Sequence, residues 1–435
     1  MTSPASALLG RILTEIGIPS HTADMSTSAS RVPLPSRLAT GDLAWASVSA
    51  ATLAAHRDPG ALDGDRIATA YRSDRFLTID GAAPSVWSPY SGFWRTADGW
   101  IRTHGNYAHH AERLRAGLGF DDVADADAVA HALARMSATD AVTAITASGG
   151  LAVRVSPERP EVDAALRATP LLDIRRLGDA PHSPGRNSTT AAAPLAGIRV
   201  LDLTRVIAGP VCTRTLAFLG ADVLRIDPPQ LAEPAWQHLD TGHGKRSARL
   251  DARSSEFGEL LAVADVIVLG YRPASLARLG LSSEALIERH PGLIVAQLSA
   301  WGMDHPDRAG FDSLVQAESG IALVESSDGE RPGALPAQAL DHSAGYLLAA
   351  AISALVERRA AEGGSWLVRT SLRRVAAELL CLPRQAEAAA ESAADPAAHL
   401  RRFDVGGIEL ITAGPALPGG DFAAPHPWGS DQPDW

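Results

Sequence analysis

An aspartate–histidine pair stands at the start of the most apolar stretch of this 435-residue sequence. Residues 338–351 read QALDHSAGYLLAAA, so Asp341 precedes a run of small and apolar residues that is typical of a buried helix. Aspartate is a preferred N-cap, because its carboxylate accepts a hydrogen bond from an unpaired backbone N–H. A carboxylate in this place could also act chemically on a ligand. The residue type alone leaves both roles open.

Several common cofactor and hydrolase motifs are missing from the sequence. The turn after the first strand of the C-terminal half reads RVIAGP (205–210) instead of GxGxxG, so a dinucleotide site is not indicated. There is also no GxxxxGK[ST], HExxH or GxSxG motif. Cys212 and Cys381 stand far apart and form no CxxC pair, which argues against a disulfide framework or a structural zinc site. We therefore expect no metal and no permanently bound cofactor.

The charge and hydropathy of the chain exclude several kinds of partner. The net charge is −11 and no basic run occurs, so a non-specific nucleic-acid binder is not expected. The first residues lack the basic and apolar regions of a signal peptide. The longest apolar run, residues 344–356, is too short to span a bilayer and suits a buried helix. These features predict a cytoplasmic protein with no nucleic-acid or membrane partner.

A stretch rich in Pro, Ser, Thr and Ala divides the chain. It predicts a linker over residues 181–194, between an N-terminal half (1–180) and a C-terminal half (195–435). The C-terminal half alternates β-branched runs at 197–203, 221–227, 265–270 and 292–301 with helical patterns. This alternation predicts an α/β fold with a Rossmann-like parallel sheet covered on both faces, and phosphorylated ligands near helix N-termini.

The C-terminal half also carries an ordered series of motifs. They are LDLTRVIAGP (201–210), GKRSARLD (244–251), YRPASLARLG (271–280), GFDSLVQAESG (310–320) and ALDHSAGYLL (339–348). The series resembles the family III CoA-transferases, or CaiB/BaiF family, which include formyl-CoA transferase and α-methylacyl-CoA racemase. The resemblance covers most of residues 195–375. It implies a large Rossmann-like CoA-binding domain and a smaller α/β domain.

The resemblance implies a role for Asp341. This residue matches the family's catalytic aspartate, which attacks an acyl-CoA thioester to form an aspartyl–acyl mixed anhydride and CoA thiolate. A carboxylic acid acceptor then takes part in the exchange. Such a nucleophile must be accessible and not tightly neutralised, and it needs donors for the developing oxyanion. A helix N-terminus supplies such donors, so capping and catalysis are compatible roles.

Other residues match segments that bind coenzyme A in the family. The loop after the first strand approaches the thioester, the KRS motif lies near the adenine and phosphates, and the YRP…RLG segment lines the nucleotide. Cationic side chains suit the CoA phosphates, although each arginine could instead be an ordinary surface charge. The residues that match these segments are Arg205, Val206, Ile207, Ala208, Lys245, Arg246, Tyr271, Arg272 and Arg278.

The sequence departs from the family pattern at positions that bear on specificity. Phe311 and Asp312 stand where the racemase branch carries a His-Asp pair, and phenylalanine cannot remove a proton. Ile207, Gly270 and Pro228 replace residues typical of formyl-CoA transferases or of the wider family. Racemase activity and formyl or oxalyl specificity are therefore not expected.

The order of the parts is also unusual. Residues 93–119 and 147–155 resemble the family's small domain, which places a small-domain-like segment at about 85–155, before the catalytic half. Family members form interlocked homodimers, so the segment could line the acyl site in cis or across a dimer. The sequence predicts an acyl-CoA:carboxylate CoA-transferase. The alternatives are a catalytically degenerate CoA-binding subunit and, less favoured, an acyl-CoA racemase or isomerase.

Overall fold

The computed structural model describes residues 3–19, 31–120, 124–182, 190–388 and 395–435. The strands in these ranges are β1 (Thr78–Ile79), β2 (Phe93–Thr96), β3 (Gly99–Thr103), β4 (Ala152–Arg154), β5 (Asp173–Gly178), β6 (Arg199–Leu203), β7 (Asp222–Asp227), β8 (Arg246–Arg249), β9 (Val266–Leu269), β10 (Ile294–Ser299), β11 (Ser365–Ser371), β12 (Leu400–Val405) and β13 (Ile408–Ala413). The α-helices are α1 (Pro4–Ile16), α2 (Thr40–Ala54), α3 (Gly64–Tyr71), α4 (Ser73–Phe76), α5 (Ala108–Gly117), α6 (Ala126–Leu133), α7 (Ala138–Ala147), α8 (Pro160–Arg167), α9 (Ala208–Phe218), α10 (Ala235–Thr241), α11 (Ser255–Ala262), α12 (Pro273–Arg278), α13 (Ser283–Arg289), α14 (Asp312–Ser319), α15 (Ile321–Val324), α16 (Ala339–Glu362) and α17 (Leu372–Cys381).

The predicted parallel sheet is confirmed. Seven strands pair in the order β5-β11-β10-β9-β6-β7-β8. All neighbours in this sheet run parallel except β5, which pairs antiparallel with β11 at one edge. The four strands predicted in the C-terminal half are β6, β7, β9 and β10, and helices separate them in the chain. The fold class is therefore the mixed α/β architecture that the alternation predicts.

Alternate residues of the central strands are buried on opposite faces of the sheet. Val200 and Val266 join the core that includes residues of α9 and α16. Leu201 and Ile267 join the core that includes residues of α11, α12 and α13. A strand buried on both faces needs apolar residues at every position, which explains the continuous runs of Val, Ile and Leu.

The helix α16 lies in the larger core and carries Asp341 in its first turn. It packs against α2 on one side and α9 on another, so apolar residues occur around most of its circumference. Its length and composition would also suit a membrane span, but 89% of its most apolar window is buried inside the protein. The predicted buried helix is confirmed, and it extends from Ala339 to Glu362.

A glycine allows α16 to approach α9 closely. A Cβ atom on Gly345 would lie 2.6 Å from the carbonyl oxygen of Ala208 and 2.9 Å from Cβ of Val211. We expect Gly345→Ala to destabilise the protein by about 1–3 kcal/mol, because the two helices must move apart. Gly10→Ala in α1 is the matched control, since no atom lies within 4 Å of its added Cβ. Chemical denaturation of both variants tests this, and equal stabilities would contradict it.

The small-domain-like segment has its own antiparallel sheet. Strands β2, β3 and β4 pair in that order, and helices α5, α6 and α7 pack on them around Leu114, Val129 and Ile145. The pattern WIRTHG (100–105) predicts a strand, and the strand Gly99–Thr103 confirms it. The segment thus forms a three-stranded sheet with its own small core, and it precedes the first strand of the central parallel sheet, β6, in the chain.

Other N-terminal elements belong to the layers of the large sheet. Helix α2 packs along α16, and β5 adds an edge strand beside β11. The pattern RFLTID (75–80) predicts a strand. This prediction is wrong for its first part, since Ser73–Phe76 is a helical turn and only Thr78–Ile79 is a strand. That short strand pairs with β13, near the C-terminus. The predicted linker over 181–194 lies partly outside the described residues, and the predicted domain limits stay a prediction.

Candidate active site

A cavity of about 710 Å³ lies between the small-domain-like segment and the large sheet. One wall comes from residues 107–113 and 142–153, and the other from the 205–208 loop, residues 270–275 and residues 298–314. Asp341 lies on the cavity surface. Both walls belong to the same chain, so the N-terminal half supplies its part of the cavity in cis.

The Asp341 carboxylate faces this cavity without a hydrogen-bond donor. The residue is only 6% exposed, and no side chain or amide of the described residues donates to its carboxylate oxygens. Burial, and then the neighbouring Asp312 carboxylate, raise the pKa of Asp341 well above its ordinary value. A carboxylate that is neither solvated nor paired keeps its electron density available, so it suits nucleophilic attack once it is ionised.

The structure corrects the capping role of Asp341. The N-cap of α16 is Gln338, which makes no side-chain capping bond, and Asp341 is the third residue of the helix. Its backbone N–H donates to Oδ2 of Asp312, 2.9 Å away. The buried Asp312 thus satisfies an amide at the helix start. Asp341 is therefore free of the capping duty that the sequence suggested.

The loop after β6 places Arg205, Val206 and Ala208 beside the cavity. Val206 has a φ of +73°, a strained conformation for a β-branched residue. Its N–H donates to Oε1 of Glu233 at 2.8 Å, which holds the strained backbone. The Arg205 guanidinium donates to the Ala232 carbonyl at 2.7 Å. Ile207 precedes α9 and packs against the core instead of lining the cavity.

Two of the three predicted nucleotide-lining residues reach the cavity. Tyr271 lines it, and its buried hydroxyl has no hydrogen-bond partner among the described residues. Arg272 lines it as well, and its guanidinium donates to the Asp307 carbonyl at 3.3 Å. Arg278 lies outside the cavity, where its exposed side chain pairs with the Asp307 carboxylate at 3.2 Å.

The residues of the KRS motif do not reach the cavity. Lys245 is 1% exposed, and its ammonium binds the Asp202 carboxylate and the Pro210 carbonyl, each at 3.0 Å. Burial lowers the pKa of Lys245 to about 8. Arg246 pairs with Asp222 at the outer strand β8. The sequence pattern suggested phosphate contacts, but the structure gives Lys245 a role in joining β6 to the start of α9.

An aromatic and imidazole cluster forms the wall near Asp341. The ring of Phe311 stacks on that of His104, with centroids 3.8 Å apart and planes within 6°. His110 meets Phe311 edge-on at 6.0 Å and lines the cavity. Burial, and then His109 and Arg113, lower the pKa of His110 to about 3. The histidines of this wall are therefore neutral at ordinary pH and weakly basic.

The segment that contains Asp341 is similar to a known protein family. Residues 195–402 match the sequence model of CoA-transferase family III. The match covers just under half of the chain. The family III segment includes the 205–208 loop and α16, whereas the wall from residues 107–153 lies outside it.

The relatives are similar to this chain over part of their length. A probable fatty acyl-CoA transferase of Mycobacterium tuberculosis, Rv3272, is 32% identical over 44% of this chain and 54% of its own length. The human succinyl-CoA:glutarate CoA-transferase is 33% identical over 32% of this chain and 37% of its own. A crystal structure of Rv3272 aligns with a TM-score of 0.41, at 32% identity over 43% of this chain and 57% of that one. The chain thus spans between about a third and about half of these relatives.

Sequence reasoning missed several residues that shape this family III site. Tyr107 and His110 come from the N-terminal half, and no motif linked them to Asp341. Glu233 stands in an irregular, proline-flanked loop where a charge predicts only exposure. Asp312 was visible in the GFDS motif, but only its burial and its bond to Asp341 show what it does.

Proposed function

We propose that this protein is an acyl-CoA:carboxylate CoA-transferase that uses Asp341 as its nucleophile. The observation that supports this most strongly concerns Asp341, which lies in the segment that matches family III. Its carboxylate has no partner among the described residues and borders the cavity of about 710 Å³. Arg113, Arg205 and Arg272 on the cavity walls offer cationic groups to an acyl-CoA substrate.

In the proposed step, a carboxylate oxygen of Asp341 attacks the thioester carbonyl carbon of the acyl-CoA. The new C–O bond forms, the C–S bond breaks, and the electron pair leaves with sulfur as CoA thiolate. The product is an aspartyl–acyl mixed anhydride. The thiolate and the carboxylate of an acceptor acid then complete the exchange, and free Asp341 is restored.

This exchange needs no proton transfer, since nucleophile, leaving group and acceptor are all anions. The cavity wall suits a reaction without proton transfer, because the Phe311 side chain has no basic group and the pKa of the adjacent His110 is lowered to about 3. Removal of a proton beside a thioester would need a stronger base. A transferase is therefore favoured over a racemase or isomerase.

Trapping of the anhydride tests the proposal directly. The protein is incubated with a panel of acyl-CoAs, treated with hydroxylamine and analysed by mass spectrometry. We expect a hydroxamate on Asp341 with at least one donor, because hydroxylamine attacks an activated carboxyl group. CoA binding without any adduct would contradict the proposal and favour the degenerate CoA-binding subunit.

Two further features are proposed with this function: a homodimer, from the family resemblance, and a cytoplasmic location, from the charge and hydropathy of the chain. We expect a homodimer, which sedimentation of the purified protein would test. We also expect a cytoplasmic location, where acyl-CoAs and free carboxylic acids are both available. Because both cavity walls belong to one chain, the proposed activity does not require a wall from a second subunit.

A further inference from the structure

A relay of polar side chains reaches the nucleophile from behind the cavity. The Leu335 N–H donates to Oε1 of Gln316 at 2.9 Å, and Nε2 of Gln316 donates to Oδ1 of Asp312 at 2.5 Å. Oδ2 of Asp312 accepts the Asp341 N–H at 2.9 Å. Asp312 is 0% exposed and starts α14, so the relay fixes the start of α16 against α14.

Asp312 and Asp341 form a pair of buried carboxylates whose negative charges have little compensation from cations. Neither makes an ion pair with any cation in the described ranges. Within the described ranges, the Asp312 oxygens receive neutral N–H groups only, and those of Asp341 receive none. Two carboxylates in one dry site resist simultaneous ionisation. Burial raises the pKa of Asp312 to about 6, and burial with Asp312 raises that of Asp341.

We propose that Asp312 is a positioning residue: it holds Asp341 in place for attack through the Asp341 backbone N–H, and its buried carboxylate acts through space on that of Asp341. This inference rests on the transfer reaction proposed above. The hydrogen bond acts on the Asp341 backbone, so it fixes the helix start without neutralising the nucleophile. The charge acts through space, so Asp341 becomes active only as the pH rises.

The other charged groups around the pair do not remove this coupling. Arg102 on β3 is the cation that acts on Asp312, and it lies buried against the rings of Trp87 and Phe93. The arginines on the helices α1, α9 and α17, which pack against α14 or α16, are engaged elsewhere: Arg214 bonds to the Asp240 carbonyl, Arg373 pairs with Asp163, and Arg11 and Arg374 pair with Glu378. Asp42 on α2 is half-buried with a raised pKa, and burial lowers the pKa of His342 on α16 to about 3, so it is neutral.

Infrared titration of the folded protein measures this coupling without turnover. The carboxyl band that disappears in Asp341→Ala reports the ionisation of Asp341, and its midpoint is followed against pH. In the unsubstituted protein we expect a midpoint well above the ordinary value of about 4. A midpoint near 4 would overturn the proposal whatever the variants do.

Asp312→Asn removes the charge and keeps a similar shape. We expect the Asp341 midpoint to fall by about one pH unit or more, and to stay above 4 because burial remains. The NH₂ group of the new asparagine would face another donor, the NH₂ group of Gln316. Asp312→Ser is therefore the second variant, because a serine hydroxyl oxygen can accept from both Gln316 and the Asp341 N–H. Asp328→Asn is the matched control, since Asp328 also accepts backbone N–H groups but in an exposed turn. An unchanged midpoint in the Asp312 variants would overturn the proposal.

Turnover separates the charge effect from a structural one. If an Asp312 variant only displaces the start of α16, kcat falls by a similar factor at every pH, on the order of tenfold. Loss of the charge also shifts the kcat profile to lower pH, so the variant regains activity relative to the unsubstituted protein as the pH falls. A uniform loss without a shift overturns the role of the charge. If no acyl adduct forms, the proposed function fails, while the infrared midpoint still decides whether Asp312 controls the ionisation of Asp341.

Discussion

Asp341→Asn abolishes acyl transfer and raises the thermal stability of the protein. We expect kcat to fall by more than about 10³-fold, because an amide cannot attack the thioester. The start of α16 keeps its geometry, since the bond from Asp312 goes to the backbone N–H, which asparagine retains. Steady-state assays and hydroxylamine trapping measure the loss. A variant with full turnover would exclude Asp341 as the nucleophile.

The stability gain follows from the raised pKa of Asp341. The folded protein holds the proton more tightly than the unfolded chain does, so the stability it gains is complete below about pH 4 and is lost as the pH rises through the folded-state pKa. Asparagine does not ionise and so avoids this loss. We expect a Tm increase on the order of 2 °C at pH 8 and a smaller one at pH 5.

A matched substitution controls for the general effect of Asp→Asn. Asp42 also lies in the first turn of a core helix, α2, and burial raises its pKa, but it does not line the cavity. Asp42→Asn should therefore leave turnover unchanged. A Tm that falls equally at every pH in Asp341→Asn would contradict the electrostatic account.

Glu233→Ala destabilises the protein by about 3–5 kcal/mol and releases the loop beside the cavity. The Glu233 carboxylate is fully buried, contacts the Arg225 guanidinium, and accepts the Val206 N–H at 2.8 Å. Its removal leaves Arg225 with Asp227 as its remaining buried carboxylate and leaves the strained Val206 backbone unsupported. Urea denaturation measures the stability. Calorimetric titration with coenzyme A should show weaker binding.

The control for Glu233 is an ion pair at the surface. Asp222 pairs with Arg246 at 3.0 Å, and its side chain is 44% exposed. Asp222→Ala should cost less than about 1 kcal/mol, because water already solvates both charges. Glu233→Gln keeps an acceptor for Val206 and should bind coenzyme A better than the alanine variant does. Similar stability losses at positions 222 and 233 would refute the role given to Glu233.

The local pattern of apolar residues was enough to predict the architecture of the C-terminal half. The runs around Val200, Ile267 and Ile294 are apolar at every position because both faces of their strands are buried. The small and apolar residues after Asp341 predicted a buried helix, and α16 is one. These features depend on the period of the side chains along the chain, which can be read without knowing the neighbours.

Local pattern failed where distant segments decide the outcome. Residues 75–80 are apolar enough for a strand, but the first part turns as a helix in which Ser73 bonds to Asp240. Lys245 sits in a glycine-flanked loop that suggested phosphate contacts, yet its ammonium is buried against Asp202. Each result depends on a partner that is far away in the sequence.

The amino-acid sequence was enough to predict the α/β fold and the segment that resembles family III, and it singled out Asp341 as the candidate nucleophile. The three-dimensional structure was needed to show that Tyr107 and His110 line the same cavity as Asp341, that Glu233 holds Val206, and that Asp312 accepts the Asp341 N–H. The physical reason is that secondary structure follows from the spacing of residues along the chain. A site forms where segments that are far apart in the sequence pack together, and no periodic pattern of residues predicts which segments will meet.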